Sequence, residues 1–202
     1  MIDYYHLADN QYKDWVYTGS IGTNTTFMVY YWIKPRGITM VHITAIGAGG
    51  GGATGFSGAG NASGGLTIPA IFLPDQLRII VAAGGNGGTG GSGGATAANT
   101  FIECARGSAV AATYVLQANG GAGGNVGAAG NVAGGGAGAI GVQTNAVYQA
   151  LGTWVSVAGQ AGGGGVSNAD GTAVSINGNS TINSGGAGGG GKSSAGVNRN
   201  GG

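Results

Sequence analysis

The chain has 202 residues, 50 of them glycine, and only 6% are charged, for a formal net charge of +1. Ordinary proteins carry roughly 7% glycine, and so neutral a chain offers no electrostatic footing for nucleic acid or an anionic membrane surface. Yet 42% of the residues are apolar and the mean hydropathy is positive, the reverse of the polar, charged composition that keeps chains disordered, so folding is expected.

Residues 1–24 differ from the rest. Five of the seven residues from Tyr12 to Thr18 are aromatic or charged. Amphipathic aromatics suit an interface, so this segment reads as an N-terminal docking arm, with Tyr4, Tyr5, Tyr12, Trp15 and Tyr17 as candidate contacts. Packing of the same residues within their own domain stands beside that reading. The first ten residues lack the basic start and apolar run of a secretory signal, and no apolar stretch is long enough to span a bilayer.

From residue 25 onward two textures alternate. The first is strand-like, with short β-branched and aromatic runs bounded by Gly, Pro or Asn at 27–33, 38–46, 66–72, 77–81, 100–104, 112–116 and 153–157. Both faces of 38–46 carry apolar residues and are expected to be at least half buried. Pro69 points to an edge strand or a bulge. Only 146–151, AlaValTyrGlnAlaLeu, has the makings of a helical turn or two.

The second texture is glycine at a period of three. The phase runs through Gly49, Gly52, Gly55 and Gly58, through Gly85, Gly88, Gly91 and Gly94, and through Gly121, Gly124, Gly127 and Gly130. Shorter echoes occupy 135–141, 159–165 and 185–191. A three-residue period matches the left-handed polyproline II helix, which has no internal hydrogen bonds. Its N–H and C=O groups must find partners outside, and bare glycine faces let backbones approach closely enough to supply them. Several tracts packed laterally within one chain satisfy that demand; disordered loops are the alternative. Residues at the tips of such tracts, among them Phe56, Ser57, Asn61, Asn86 and Asn168, would form the variable surface.

Gly186 through Gly191, Lys192 and Ser193 match the phosphate-loop pattern G-x-x-x-x-G-K-[ST]. The pattern works only where a strand precedes and a helix follows, and SerAlaGlyValAsnArgAsnGlyGly after Lys192 makes no helix. The match reads as the last period-three tract, with Lys192 at its end. Catalysis has equally little to work with: Asp3, Asp9, Asp14, Asp75, Glu103 and Asp170 are scattered, and Asp75 sits where a turn favours Asp. His6 and His42 are far apart, and His42 reads as a satisfied strand histidine and not a metal ligand. The lone Cys104 reads as a small buried apolar residue. No catalytic, cofactor or metal site is expected.

The order of these features carries a resemblance. Residues 30–52, TyrTyrTrpIleLysProArgGlyIleThrMetValHisIleThrAlaIleGlyAlaGlyGlyGlyGly, resemble the opening of the glycine-rich domain found in many bacteriophage tail and virion proteins, where Trp, Pro and Gly lead into a strand that ends in a glycine run. Residues 73–88 resemble that domain's second signature, a turn with Pro and Asp, a strand and another glycine run. The plan is similar to the glycine-rich region of anaplastic lymphoma kinase, although that region is cysteine-bearing, and to the polyglycine-helix adhesins of T-even-like tail fibres. The resemblance implies an all-β fold, a jelly-roll-like β-sandwich over residues 25–202 with inserted, packed polyglycine II helices, and, because a final strand usually follows the last glycine tract in that family, it implies that residues 25–202 lack the closing strand. It implies a non-enzymatic virion protein of a fibre or tail appendage, with other virion proteins as partners and a homo-oligomeric state, a trimer among the options. A receptor-binding adhesin that contacts the host surface through its tip loops is the alternative. No cofactor, nucleic acid or membrane insertion is implied.

Overall fold

The computed structural model describes residues 2–5, 13–19, 27–52, 61–88, 93–104, 114–124, 144–159, 161, 177–179, 182–184, 190–192 and 198–201. The fold is all-β: antiparallel sheets with one short α-helix and one turn of 3-10 helix among the described residues. The strands are β1 (Ile2–Tyr5), β2 (Lys13–Val16), β3 (Phe27–Ile33), β4 (Met40–Ile46), β5 (Ser63–Pro69), β6 (Gln76–Ala82), β7 (Thr100–Cys104), β8 (Tyr114–Ala118), β9 (Thr153–Val157), β10 (Asn177–Asn179), β11 (Ile182–Ser184), β12 (Gly190–Lys192) and β13 (Asn198–Gly201). Helix α1 spans Ala146–Leu151, its first turn capped by Asn145, whose side chain accepts from the Val147 N–H at 3.0 Å.

A four-stranded sheet runs β3-β6-β7-β8 and a three-stranded sheet runs β4-β5-β9. Period-two alternation decides which side chains go inside. On β3 it turns Trp32 inward and leaves Phe27, Val29, Tyr31 and Ile33 exposed. One hydrophobic cluster collects Trp32, Leu77, Ile79, Ile102, Val115 and Leu116 from the first sheet and Ala45, Leu66 and Ile68 from the second, so both sheets contribute to one core.

Three expectations need correction. The run 38–46 has only one inward face: Val41 and Ile43 are half buried and Ala45 is buried, whereas Met40, His42, Thr44 and Ile46 are exposed. An antiparallel sheet with one solvated side needs no more than that. Strand β5 begins at Ser63 instead of 66 and ends at Pro69, with Ala70–Phe72 turning into 3-10 helix. It is also the middle strand and not an edge. Pro69 is tolerated because pairing with β9 stops at Thr67, while pairing with β4 continues to Met40 opposite Pro69.

The connections are polarised. Tract residues 47–52, 84–88 and 119–124 follow β4, β6 and β8, and residues 93–99 lead into β7, so all four lie at the same ends of the strands. The turns 34–39 and 70–75 occupy the other end.

Candidate functional site

The glycine tracts bond to one another through their backbones. Gly85 N–H donates to the Gly49 carbonyl at 2.9 Å and, three residues on, Gly88 donates to Gly52 at 2.7 Å. The same three-residue step joins 119–124 to 47–52, with Gly121 donating to Ala48 and Gly124 to Gly51, both at 2.9 Å. It recurs with opposite chain direction between 93–97 and 119–124, where Gly94 donates to Gly124 and Ala97 to Gly121, each at 2.9 Å. Single bonds from Gly51 to Ala95 and from Ala95 to Asn86 join the remaining neighbours. Tract 47–52 is therefore hydrogen-bonded to all three others. Backbone groups left unpaired by the local conformation are satisfied laterally, as buried polar groups require.

Close approach explains the glycines. A Cβ built on Gly50, Gly51, Gly85, Gly94, Gly120 or Gly123 would overlap a backbone carbonyl of an adjacent tract. Gly47 and Gly50 both face 119–122, and Gly120 and Gly123 both face 94–98, which again is a spacing of three. Gly49 is different: nothing lies within 4 Å of its Cβ position. The expected phase through 49, 52, 85, 88, 121 and 124 supplies hydrogen bonds, while the tightest contacts fall mainly on the glycines between. One bare face per tract is too few when a tract has neighbours on several sides.

The aromatic arm begins with a hairpin, Ile2 opposite Val16 through Tyr5 opposite Lys13. On β2 and just after it, the structure sets two of the five candidate arm residues against the chain's own core. Trp15 meets Trp32 edge-on, with centroids 5.8 Å apart, and Tyr17 meets Tyr30 at 5.3 Å. The Tyr30 hydroxyl donates to the Thr18 carbonyl at 2.7 Å, holding the chain after β2 in place. Tyr4 and Tyr5 lie on β1, and Tyr12 lies outside the described residues.

Of the expected tip residues, Phe56, Ser57 and Asn168 lie outside the described residues. Asn86 is exposed on its tract, and its carbonyl accepts from Ala95 at 2.8 Å. Asn61 is half buried beside the start of β5, where the next residue, Ala62, donates to the Asn119 carbonyl at 3.0 Å. It belongs to the base of the tracts and not to a tip.

At the opposite end the structure joins two sequence features read separately. Lys34, from the Lys-Pro-Arg-Gly turn, donates its N–H to the Asp75 carbonyl at 2.8 Å, and its ammonium sits 3.1 Å from the Asp75 carboxylate. The same ammonium donates to the carbonyls of Leu73 at 2.8 Å and Ala70 at 3.3 Å. Gly37 takes φ +82°, a left-handed conformation that closes the turn and suits glycine. Between the two turns lies an open cleft of about 420 Å³ lined by Lys34, Arg36, Ile38, Ile71 and Asp75 among others. Sequence reasoning quoted both turns without seeing that Lys34 and Asp75 clamp them together.

The isolated chemical groups have structural partners. His42 Nδ1 lies 2.7 Å from the Thr67 hydroxyl and Nε2 lies 3.3 Å from that of Thr44, on an exposed sheet face. Arg78 and Glu103, directly opposite on β6 and β7, form a half-buried ion pair. Cys104 is half buried with Sγ 3.2 Å from the Tyr148 hydroxyl. Burial, then the hydrogen bond and charge of Cys104, push the Tyr148 hydroxyl up to about 12. Among the described residues no three His, Cys, Asp or Glu side chains gather as metal ligands.

Among the described residues the phosphate-loop match shows no strand-loop-helix setting. Gly190–Lys192 is strand β12, paired with β13, with Lys192 opposite Asn198. That also departs from the expectation of a last period-three tract, since the described part is a strand. No family model, curated protein or solved structure matches this chain.

Proposed function

We propose that this chain is a structural, non-enzymatic protein of a bacteriophage virion, a component of a fibre or tail appendage. In this reading the two sheets over a shared core form a jelly-roll-like sandwich, and the tracts at 47–52, 84–88, 93–98 and 119–124 are polyglycine II helices packed side by side. The observation that carries it is the ladder of backbone hydrogen bonds repeating every three residues, with glycine wherever a side chain would strike a neighbouring carbonyl. Such a bundle is held mostly by main chain, with the Asn99 and Thr96 side chains accepting from the N–H groups of Gly120 and Gly123. It gives stiffness without charge and leaves its side chains free to vary, which suits an appendage better than a reaction centre.

The phage context rests on the resemblance of residues 30–52 and 73–88 to the glycine-rich virion domain. Assembly with other virion proteins falls to the N-terminal arm, where Tyr4, Tyr5 and Tyr12 are the candidates for neighbours while Trp15 and Tyr17 anchor the arm to the core. Immunogold labelling of purified phage particles with an antibody to this chain tests the proposal. Label confined to a fibre or tail appendage supports it; a chain absent from particles overturns it.

The second reading is a receptor-binding adhesin, favoured by the exposed position of Asn86 on a glycine tract and by the likeness to tail-fibre tip adhesins. It requires purified protein to compete with particles for adsorption to host cells, which a buried structural component does not do.

A further inference from the structure

We propose that Asn86 is a self-modifying site, at which the side-chain amide is lost through attack by the Gly87 nitrogen and the main chain of tract 84–88 is rerouted. Asn-Gly pairs occur in the chain at 86–87, 119–120, 177–178 and 200–201. Glycine after asparagine is the permissive case, because no Cβ shields the attacking nitrogen or restricts the turn that brings it to the side chain. The two groups are neighbours along the chain, so the reaction closes a small ring with no partner molecule to capture.

The fold treats these pairs differently. Asn86 and Gly87 are both exposed, and among the described residues neither the Asn86 side chain nor the Gly87 N–H makes a hydrogen bond. Turning the 86–87 peptide toward the side chain disturbs two main-chain bonds, Ala95 to Asn86 and Gly88 to Gly52, which is a local opening. Asn119 is the opposite case. It is 7% exposed, its side-chain oxygen accepts from Gln117 at 2.6 Å, and its carbonyl accepts from Ala62 at 3.0 Å. The Gly120 N–H donates to the Asn99 side chain at 2.9 Å, and Gly121 donates to Ala48 while accepting from Ala97. The chain cannot turn at 119 without opening the bundle. Asn177 and Asn200 lie in strands β10 and β13, whose extended main chain is held by β11 and β12.

The chemistry needs only water. The bond that forms joins the Gly87 nitrogen to Cγ of Asn86; the bond from Cγ to the side-chain nitrogen breaks, and that nitrogen leaves as ammonia, taking the proton of the Gly87 N–H. Water then opens the cyclic imide at either of its carbonyl carbons. One opening gives aspartate and the other isoaspartate, in which the main chain runs through Cβ and Cγ, and each adds a negative charge to a tract that has none. Isoaspartate inserts an extra backbone carbon between two ladder bonds spaced three residues apart, Gly85 to Gly49 and Gly88 to Gly52. The Gly88 bond is therefore lost while those of Gly121 and Gly124 persist. Asn86 thus marks the age of the protein and loosens one tract of the bundle irreversibly. The proposal stands on the position of Asn86 and is independent of the virion and adhesin readings.

Incubation of the full chain in mildly alkaline buffer tests it, followed by peptide mapping with mass spectrometry and enzymatic methyl labelling of isoaspartate. The expected result is amide-to-acid conversion at Asn86 ahead of Asn177 and Asn200, and on the order of tenfold or more faster than at Asn119, which reacts only through a larger opening. In denaturant Asn86 and Asn119 should convert at comparable rates, since the fold and not the dipeptide sets the order. Gly87→Ala should remove the conversion at Asn86. Its Cβ would meet the Gly52 carbonyl oxygen at 3.6 Å, an ordinary contact, so the variant keeps the fold. Amide exchange on the isoaspartate-bearing protein should show protection lost at Gly88 and kept at Gly121. Native conversion at Asn86 no faster than at any of the other three sites, conversion undiminished in Gly87→Ala, or Gly88 still protected beside isoaspartate overturns the proposal.

Discussion

Gly123 rests so close to Gly94 that a methyl group on its Cα would overlap the Gly94 carbonyl oxygen. Backbone meets backbone there with no side chain between, and the clashing atom belongs to the main chain and cannot rotate away. Gly123→Ala is therefore expected to destabilise the protein by about 1–3 kcal/mol, the range for forcing an extra methyl group into a packed interior. Gly49→Ala, with open space at its Cβ position and no left-handed φ, is expected to be neutral or to stabilise by about 0.5 kcal/mol through the unfolded chain. Parallel urea denaturation of the two variants measures the contrast, and equal destabilisation would contradict the packing described.

The core makes a second demand. Leu66 and Leu116 come from different sheets and are both fully buried. Leu66→Ala or Leu116→Ala should each cost about 2–5 kcal/mol, seen as a lowered denaturation midpoint. Ile33→Ala, on the exposed face of β3, should change stability by no more than about 0.5 kcal/mol.

Trp15 gives the arm a measurable anchor. Its edge-on contact with Trp32 joins β2 to β3, and aromatic pairs of this geometry contribute about 0.5–1.5 kcal/mol beyond the area they bury. Trp15→Ala should change the near-UV circular dichroism of the indoles and make residues 1–19 the first site of limited proteolysis. An unchanged spectrum and digestion pattern would mean that the arm is not held by the core.

The Tyr148 hydroxyl sets an alkaline limit. Its folded pKa of about 12 lies above the ordinary value of 10.0, so between those values the unfolded chain releases a proton that the folded chain keeps. The associated stability is full below pH 10, falls as pH rises and is lost by about pH 12. Spectrophotometric titration should show one tyrosine ionising late in the native protein, and Tyr148→Phe should remove that late step.

The sequence was most legible where β-branched and aromatic residues were dense. Strands 27–33, 100–104 and 153–157 and helix 146–151 fall where the residue pattern puts them. Strand β5 was harder because Gly64 and Gly65, which belong to it, have no side chain and lie outside the β-branched run that begins at Leu66. The period of three was visible, and the described hydrogen bonds share it at Gly49, Gly52, Gly85, Gly88, Gly121 and Gly124. Which glycines lie in tightest contact was not visible, because that depends on how many neighbours a tract has, a tertiary property. The Lys34–Asp75 clamp was hidden for a similar reason: its partners are 41 positions apart (75 − 34), and each looked like an ordinary turn residue.

The central claim is that glycine tracts distant in sequence are joined by backbone hydrogen bonds, and amide hydrogen exchange followed by NMR tests it residue by residue. The N–H groups of Gly51, Gly85, Gly88, Gly94, Ala95, Ala97, Gly121 and Gly124 all donate in the ladder. They should exchange on the order of 100-fold or more slowly than an unstructured glycine-rich peptide, as groups released only by sub-global opening do. Exchange of these amides at the unprotected rate, in protein whose β6 and β7 amides remain protected, would contradict the account.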